Sequence, residues 1–378
     1  MKYMLIAGEA SGDLHASHLI AELRAADKDA SFVFLGGDLM AAAAGAEPLI
    51  HYRDMAYMGF SEVLRHLPSV FSNLRTARKA VAGHRPDALI LVDYPSFNLK
   101  VAKTAAAAGI PVYYFISPKL WAWKQWRVKA IRSMVRKVLC ILPFEPEWYS
   151  GRGYDNAVYV GNPSVGEMRA AIDAAPSRTE FLKENRLRDR RIIALLPGSR
   201  AGEIRCNLPV MDAVARQFPQ YTIAVAGAPG IADDFYSGLT KFQVVRNRTH
   251  DLLAHSHAAL VTSGTATLEA ALANVPQVVM YRSNGSKIAY NLMKSLLHVE
   301  YVSLPNLINA SPVIPEMLLH FCTADAVAEK LRQLTPDQSN ARIAMLDGYA
   351  EMRRILGDGD AAARSADIII NDLNTPKK

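Results

Sequence analysis

The chain has 378 residues, 50 % of them apolar and 21 % charged, with a formal net charge of +7. That length exceeds one ordinary core and fits two domains, and that balance excludes a disordered chain. The three cysteines, Cys140, Cys206 and Cys322, lie far apart and form no C-x-x-C pair, which excludes a disulfide framework and a cysteine zinc site and fits a reducing cytoplasm.

The first predicted strand, residues 2–7, begins almost at Met1 and leaves no room for a signal peptide. It ends in Gly8-Glu9-Ala10-Ser11-Gly12-Asp13, small residues that open a helix over 14–25. This is not G-x-G-x-x-G, and Phe34-Leu35-Gly36-Gly37 closes the next strand, 31–36, where a dinucleotide fold wants an acid. A nicotinamide cofactor is therefore not expected, and no other cofactor is called for. The glycines serve either a tight turn or the close approach of a substrate to the backbone.

From Met55 to Leu74, Phe60, Val63, Leu64, Leu67, Val70, Phe71 and Leu74 recur at helical spacing, extended by Met55, Tyr57 and Met58. Most such stripes face a core. This one carries more apolar surface than one core face needs, which suggests an acyl-chain or membrane-surface site.

Asp93 ends the predicted strand 87–92, at the carboxyl edge where α/β sheets bind ligands. A carboxylate there can serve as general base for an incoming hydroxyl, or simply cap the helix predicted at 97–108. After the strand 112–116 the basic excess becomes local. Lys119, Lys124, Arg127, Lys129, Arg132, Arg136 and Lys137 come without an acid, interleaved with Trp121, Trp123 and Trp126. No stretch reaches the roughly 18 uninterrupted apolar residues of a membrane span, so membrane contact is expected to be peripheral.

Strands at 138–142 and 157–160 complete the first series. Continuous apolar strands alternating with helices predict a parallel sheet with right-handed crossovers. Gly161-Asn162-Pro163 breaks the pattern and is placed as a hinge, 161–163, between domains at 1–160 and 164–360. Strands at 191–196, 221–226, 242–245, 258–262 and 276–280 follow, and a helical tail from about 361 to 378 is expected to return to the first domain. Two doubly wound domains would face a central cleft with room for one partner in each half.

In the second series, Pro197-Gly198-Ser199-Arg200 follows a buried strand, putting N–H groups and a guanidinium where a diphosphate would be held. Thr262-Ser263-Gly264-Thr265 repeats the arrangement, with Glu269 one turn into its helix, able to face a ribose or base edge. Each turn alone is an ordinary N-cap; two in one domain suggest a nucleotide cradle. Asp27-x-Asp29 and Asp358-x-Asp360 read as solvated connections, and His255 and His257, two apart, do not share a face, so no metal site is expected.

In order along the chain, Gly8-Glu9-Ala10-Ser11-Gly12-Asp13, Val92-Asp93-Tyr94-Pro95, Ser117-Pro118-x-x-Trp121-Ala122-Trp123, Leu142-Pro143-Phe144-Glu145, Leu196-Pro197-Gly198-Ser199-Arg200, Ser263-Gly264-Thr265 and Tyr301-Val302-Ser303-Leu304-Pro305-Asn306 resemble the lipid-A-disaccharide synthase family. The resemblance implies a GT-B fold and a metal-independent, inverting glycosyltransferase. It would join UDP-2,3-diacylglucosamine to 2,3-diacylglucosamine 1-phosphate, releasing UDP and a β-1,6-linked disaccharide. Carried over by motif, Asp93 would be the base, Arg200 and Ser263-Gly264-Thr265 would stabilise the departing diphosphate, and Glu269, Asn306 and Glu316 would hold the donor with Gly198 and Ser199. The acceptor side would take Glu9, Ser11, Trp121 and Trp123, with Met58, Phe60, Val63, Leu64, Leu67 and Phe71 against acyl chains. The enzyme would sit peripherally on the cytoplasmic face of the inner membrane, touching anionic lipid; a homodimer is left open.

Three rivals remain: a UDP-N-acetylglucosamine transferase or epimerase acting on unacylated sugars, a non-catalytic lipid carrier, and a nucleic-acid binder using the Trp121–Lys137 segment. The apolar stripe speaks against the first. The two anion-receptive turns are unexplained by the nucleic-acid reading, so no nucleic acid is expected.

Overall fold

The computed structural model describes residues 1–55, 67–282 and 300–375. The chain divides into two compact units, Met1–Pro163 with Asp358–Lys378, and Ser164–Gly357.

The first unit holds a seven-stranded sheet of β1 (Lys2–Ala7), β2 (Ser31–Gly36), β3 (Ile50–His51), β4 (Ala88–Val92), β5 (Val112–Phe115), β6 (Lys137–Cys140) and β7 (Ala157–Tyr159). All pairs are parallel, in the order β3-β2-β1-β4-β5-β6-β7. Alternation of side chains along a strand explains why its strands are apolar without interruption. Met4, Ile6, Leu89 and Leu91 pack on one face with Leu74, Ala77 and Val81 of the helix Leu67–His84 and Phe97, Val101 and Ala105 of the helix Pro95–Ala107. Tyr3, Leu5, Ala88, Ile90 and Val92 pack on the other, against Ala16, Leu19, Ile20 and Leu23 of the helix Ala10–Ala26.

The helix Ala361–Asn374 covers that second face through Ala361, Ala366 and Ile369. Each wholly buried side chain the size of Ile369 contributes roughly 1.5–3 kcal/mol. The helix end is pinned by Asp372, which accepts from the Tyr113 hydroxyl at 2.6 Å and pairs with Arg136 at 2.5 Å.

The second unit holds β8 (Ile192–Leu196), β9 (Thr222–Gly227), β10 (Gln243–Arg246), β11 (Ser256–Thr262), β12 (Gln277–Tyr281) and β13 (Glu316–Leu318), parallel in the order β10-β9-β8-β11-β12-β13. Both sheets thus share one winding, in which the first strand of each unit lies beside the fourth and the chain leaves the two in opposite directions. In the first unit the helix after β1 packs on one face and the helix after β4 on the other. The carboxyl ends of such a strand pair open a crevice, the usual ligand position in this topology. Glu9 and Asp93 stand at the crevice of the first sheet, Ser199 and Ser263 at that of the second.

Candidate active site

β4 is buried along its whole length, and the chain leaves it through two consecutive non-glycine residues in the left-handed region, Asp93 at φ 43° and Tyr94 at φ 48°. Such residues cost about 1–2 kcal/mol each and persist only where the surroundings impose them. Here the Asp93 carbonyl accepts from Asn98 Nδ2 at 2.7 Å and from the Tyr114 hydroxyl at 2.6 Å. Tyr94 donates its hydroxyl to the Met55 carbonyl at 2.8 Å, and its ring lies over Gly8, where a Cβ would fall 2.4 Å from ring carbons. The smallness of Gly8 therefore makes room for Tyr94.

Tyr94, not Asp93, occupies the cap position of the following helix. The Asp93 carboxyl instead faces Glu9. Burial pushes it up to about 6, the Glu9 carboxylate adds to the rise, and Lys119 opposes it. Glu9 in turn accepts from the Ser11 hydroxyl at 2.9 Å. The structure thus brings Glu9, Ser11 and Asp93 together in one unit. An aspartate of this basicity is still ionised near neutral pH and takes a proton more readily than an ordinary carboxylate.

The tryptophans separate into two kinds. Trp121 is buried, edge-on to Phe144 with ring centroids 5.2 Å apart, and donates Nε1 to Glu145 Oε1 at 3.2 Å. Its indole N–H is thus engaged by a buried partner. Glu145 also accepts from the Ser117 hydroxyl at 3.2 Å and the Leu142 amide at 3.1 Å, and burial pushes it up to about 7. This carboxyl brackets the turns after β5 and β6. Trp123 and Trp126 are 46 % and 67 % exposed, with Lys124 and Arg127 over their rings at 5.1 and 5.6 Å.

Of the stripe's described side chains, Phe71 is exposed on the helix Leu67–His84, while Leu74 and Met55 are buried. Met58, Phe60, Val63 and Leu64 lie outside the described residues. The helix reaches Leu67, where the side chain is likewise outside them.

In the second unit, Gly198 has φ 121°, and a Cβ there would come 2.7 Å from Glu203. Glu203 reaches back from the first turn of the helix Ala201–Ala215, accepting from the Ser199 amide at 3.1 Å and pairing with Arg200 at 3.3 Å. The anion-receptive turn read from the sequence is thus engaged by the protein's own carboxylate. At the second turn, Ser263 donates its hydroxyl to the Val302 carbonyl at 3.1 Å, while Gly264 and Thr265 are exposed at the opening of the helix Thr265–Leu272. Glu269 is half-buried one turn in, 3.8 Å from His250 Nε2.

Asn306 and Glu316 are brought together, and most of their hydrogen bonds are spent on the chain. Asn306 is buried; its Nδ2 donates to the Ile314 carbonyl and to Glu316 Oε1, both at 2.9 Å, and its Oδ1 accepts from the Ile314 amide at 2.8 Å. Glu316 accepts further from the Ser303 amide at 2.9 Å, the Ser303 hydroxyl at 2.6 Å and the Val302 amide at 3.1 Å. The Asn306 amide is thus engaged inside the protein, against Glu316 and Ile314.

Several residues escaped sequence reasoning. Asp13 is buried and accepts from the amides of Gly37, Leu39 and Met40 at 2.7, 3.1 and 3.2 Å, capping the helix Asp38–Ala44. Its closing place in the Gly8–Asp13 turn was the only hint. Asp27, read as solvated, pairs with the amino group of Met1 at 2.7 Å and accepts from the Tyr3 hydroxyl at 3.2 Å. His255 Nε2 lies 2.9 Å from the Pro176 carbonyl and His257 Nε2 2.7 Å from the Thr335 carbonyl, so the two turn to different partners. Among the described residues, no group of three or more His, Cys, Asp or Glu is placed to hold a metal ion. Nor is any described helix long and apolar enough to cross a membrane.

Comparison with known proteins gives the family and the fold. Residues 3–363 match the family model described as lipid-A-disaccharide synthetase. The lipid-A-disaccharide synthase of Myxococcus xanthus is 41 % identical, the match covering 98 % of this chain and 97 % of that protein. That of Geobacter metallireducens is 34 % identical with the same coverage, 98 % and 97 %. Among solved structures, a UDP-GlcNAc 2-epimerase from Neisseria meningitidis bound to UDP-GlcNAc superposes with a TM-score of 0.66 at 12 % identity, covering 99 % of each chain. The calicheamicin glycosyltransferase superposes with a TM-score of 0.61 at 18 % identity, again covering 99 % of each. At those identities the structures speak for the fold alone, GT-B with two Rossmann-like units. The chain belongs to the lipid-A-disaccharide synthetase family, and as a member of it is an enzyme, a glycosyltransferase of lipid A disaccharide formation.

Proposed function

We propose that the enzyme joins UDP-2,3-diacylglucosamine to 2,3-diacylglucosamine 1-phosphate in one in-line displacement. The acceptor 6-oxygen bonds to the donor's anomeric carbon as the bond from that carbon to the diphosphate breaks. The hydroxyl proton passes to the Asp93 carboxylate, and UDP leaves with the bonding electrons. Attack opposite the leaving group inverts the anomeric centre.

The observation that carries this reading is the Asp93 carboxyl at the first sheet's crevice, raised to about 6 beside Glu9. Glu9 and Ser11 would orient the acceptor's sugar. Charge growing on the diphosphate would be met by Arg200, by the amides at Gly198 and Ser199 and by the helix opening at Ser263-Gly264-Thr265. For the diphosphate to take that place, Glu203 must give up its hold on Ser199 and Arg200. Glu269 would bind the nucleoside, and Glu316, backed by Asn306, would shape the donor pocket from behind Val302 and Ser303. Phe71, with Met58, Phe60, Val63, Leu64 and Leu67, would line the acyl chains. Trp123 and Trp126, with Lys124 and Arg127, would rest on anionic lipid at the cytoplasmic face of the inner membrane.

The test is incubation of purified protein with both substrates in EDTA, following UDP release and the mass of the lipid product. Release of UDP with a disaccharide mass supports the reading. Turnover of UDP-N-acetylglucosamine instead, with no lipid product, would move the assignment to an enzyme of unacylated sugars.

A further inference from the structure

We infer that His250 is a positioning residue for the donor nucleotide, holding Glu269 as the carboxylate that accepts from the nucleoside's hydroxyls. The inference rests on the proposed place of Glu269 in nucleotide binding and adds the residue that makes that place work.

Glu269 and the two charged side chains that act on it come from three helices. Its own, Thr265–Leu272, opens at the carboxyl end of β11 and is fixed by Leu268, Ala270 and Ala271, all wholly buried. Glu269 is itself half-buried, and Glu167 from the helix Pro163–Asp173 brings a like charge towards it. Both effects push the Glu269 carboxyl up. A protonated carboxyl would offer the vicinal hydroxyls of a ribose fewer acceptor positions than a carboxylate.

His250, from the helix Thr249–Ala254, supplies the opposing influence, with Nε2 3.8 Å from Glu269 Oε2. The other charges around this helix are engaged elsewhere: Arg248 pairs with Asp251 at 2.6 Å and also with Glu184. Among the described residues, the imidazole is the basic group that pairs with Glu269. Its side chain is 40 % exposed, so it can be replaced without opening the core.

The test is calorimetric titration of UDP into the full chain and its variants His250→Gln, Glu269→Gln and the double variant, with donor KM and kcat measured alongside. Glu269→Gln should weaken UDP binding about tenfold, as expected for loss of hydrogen bonds to a charged group. His250→Gln should weaken it about three- to fivefold, the scale of a partly exposed ion pair. It should also raise donor KM with kcat unchanged, as for a group that acts on binding alone. The double variant should bind no worse than Glu269→Gln, because His250 acts through that carboxylate, and His250→Lys should restore most of the loss. Parental UDP affinity in His250→Gln, or a further full loss when it is added to Glu269→Gln, overturns the inference while leaving the nucleotide reading intact. Parental affinity in Glu269→Gln removes the nucleotide reading of that residue and the inference with it.

Discussion

Replacing Asp93 by asparagine should slow the enzyme and stabilise it together, because the same burial that makes the carboxylate a better base makes it costly to ionise. The group stands at about 6 in the folded chain against an ordinary 3.8. At about 1.4 kcal/mol per unit, a displacement of roughly two units sets an upper bound of about 3 kcal/mol. The folded form binds this proton more tightly than the unfolded one, so stability falls as pH rises through the window from about 4 to 6. The penalty is complete at pH 8 and about a third of its full size at pH 4.5.

Asparagine carries no charge to desolvate. After local relaxation the gain at pH 8 should be about 1–2 kcal/mol, a rise in melting temperature of about 3–6 °C for a unit of this size. At pH 4.5 the gain should shrink in proportion. Turnover should fall by about two orders of magnitude or more, with UDP affinity unchanged. In the parent, kcat/KM should rise with pH through an acid limb near 6, and Glu9→Gln should move that limb lower by removing the neighbouring charge. Scanning fluorimetry at the two pH values and a UDP-release assay at pH 8 decide the matter. Equal melting shifts at both pH values, or turnover within tenfold of the parent, would refute the reasoning.

The remaining expectations concern the donor side and the surface. Arg200→Ala should lower UDP affinity and turnover together, each by about tenfold or more, whereas Glu203→Gln should tighten UDP binding severalfold in calorimetry by freeing Ser199 and Arg200 from a competing carboxylate; weaker binding in the glutamine variant would speak for a direct role of Glu203. Asn306→Ala should cost about 2–3 kcal/mol in denaturant unfolding, since it strands buried partners at Ile314 and Glu316. Trp123→Ala with Trp126→Ala should reduce co-sedimentation with anionic vesicles without changing UDP affinity, while Trp121→Ala should instead cost about 3–5 kcal/mol of stability, as for a large core side chain.

The strands were legible because burial on both faces leaves a run of apolar residues too short for a helix of its own, as in Ala88–Val92 and Ile192–Leu196. β3 and β13, two and three residues long, carry no period to read and exist because a neighbouring edge offers them hydrogen bonds. Asp93 and Arg200 stood out for a local reason: each follows the end of a buried strand, and the winding of such sheets puts that point at a crevice.

The use made of other motif residues depended on partners far along the chain. Gly8 is small because Tyr94 lies over it, Asp13 caps a helix 24 residues on, and Trp121 hangs on Glu145, also 24 residues away. Asn306 and Glu316, singled out for a ligand, turn first to each other. Composition and periodicity determined by themselves the class of fold, the strand ends and the types of group available there, since these follow from local burial and chain geometry. Only the tertiary structure decided which of those groups keep a lone pair for a substrate and which are consumed within the protein, because hydrogen-bond satisfaction in a core is settled between segments that the sequence does not place side by side.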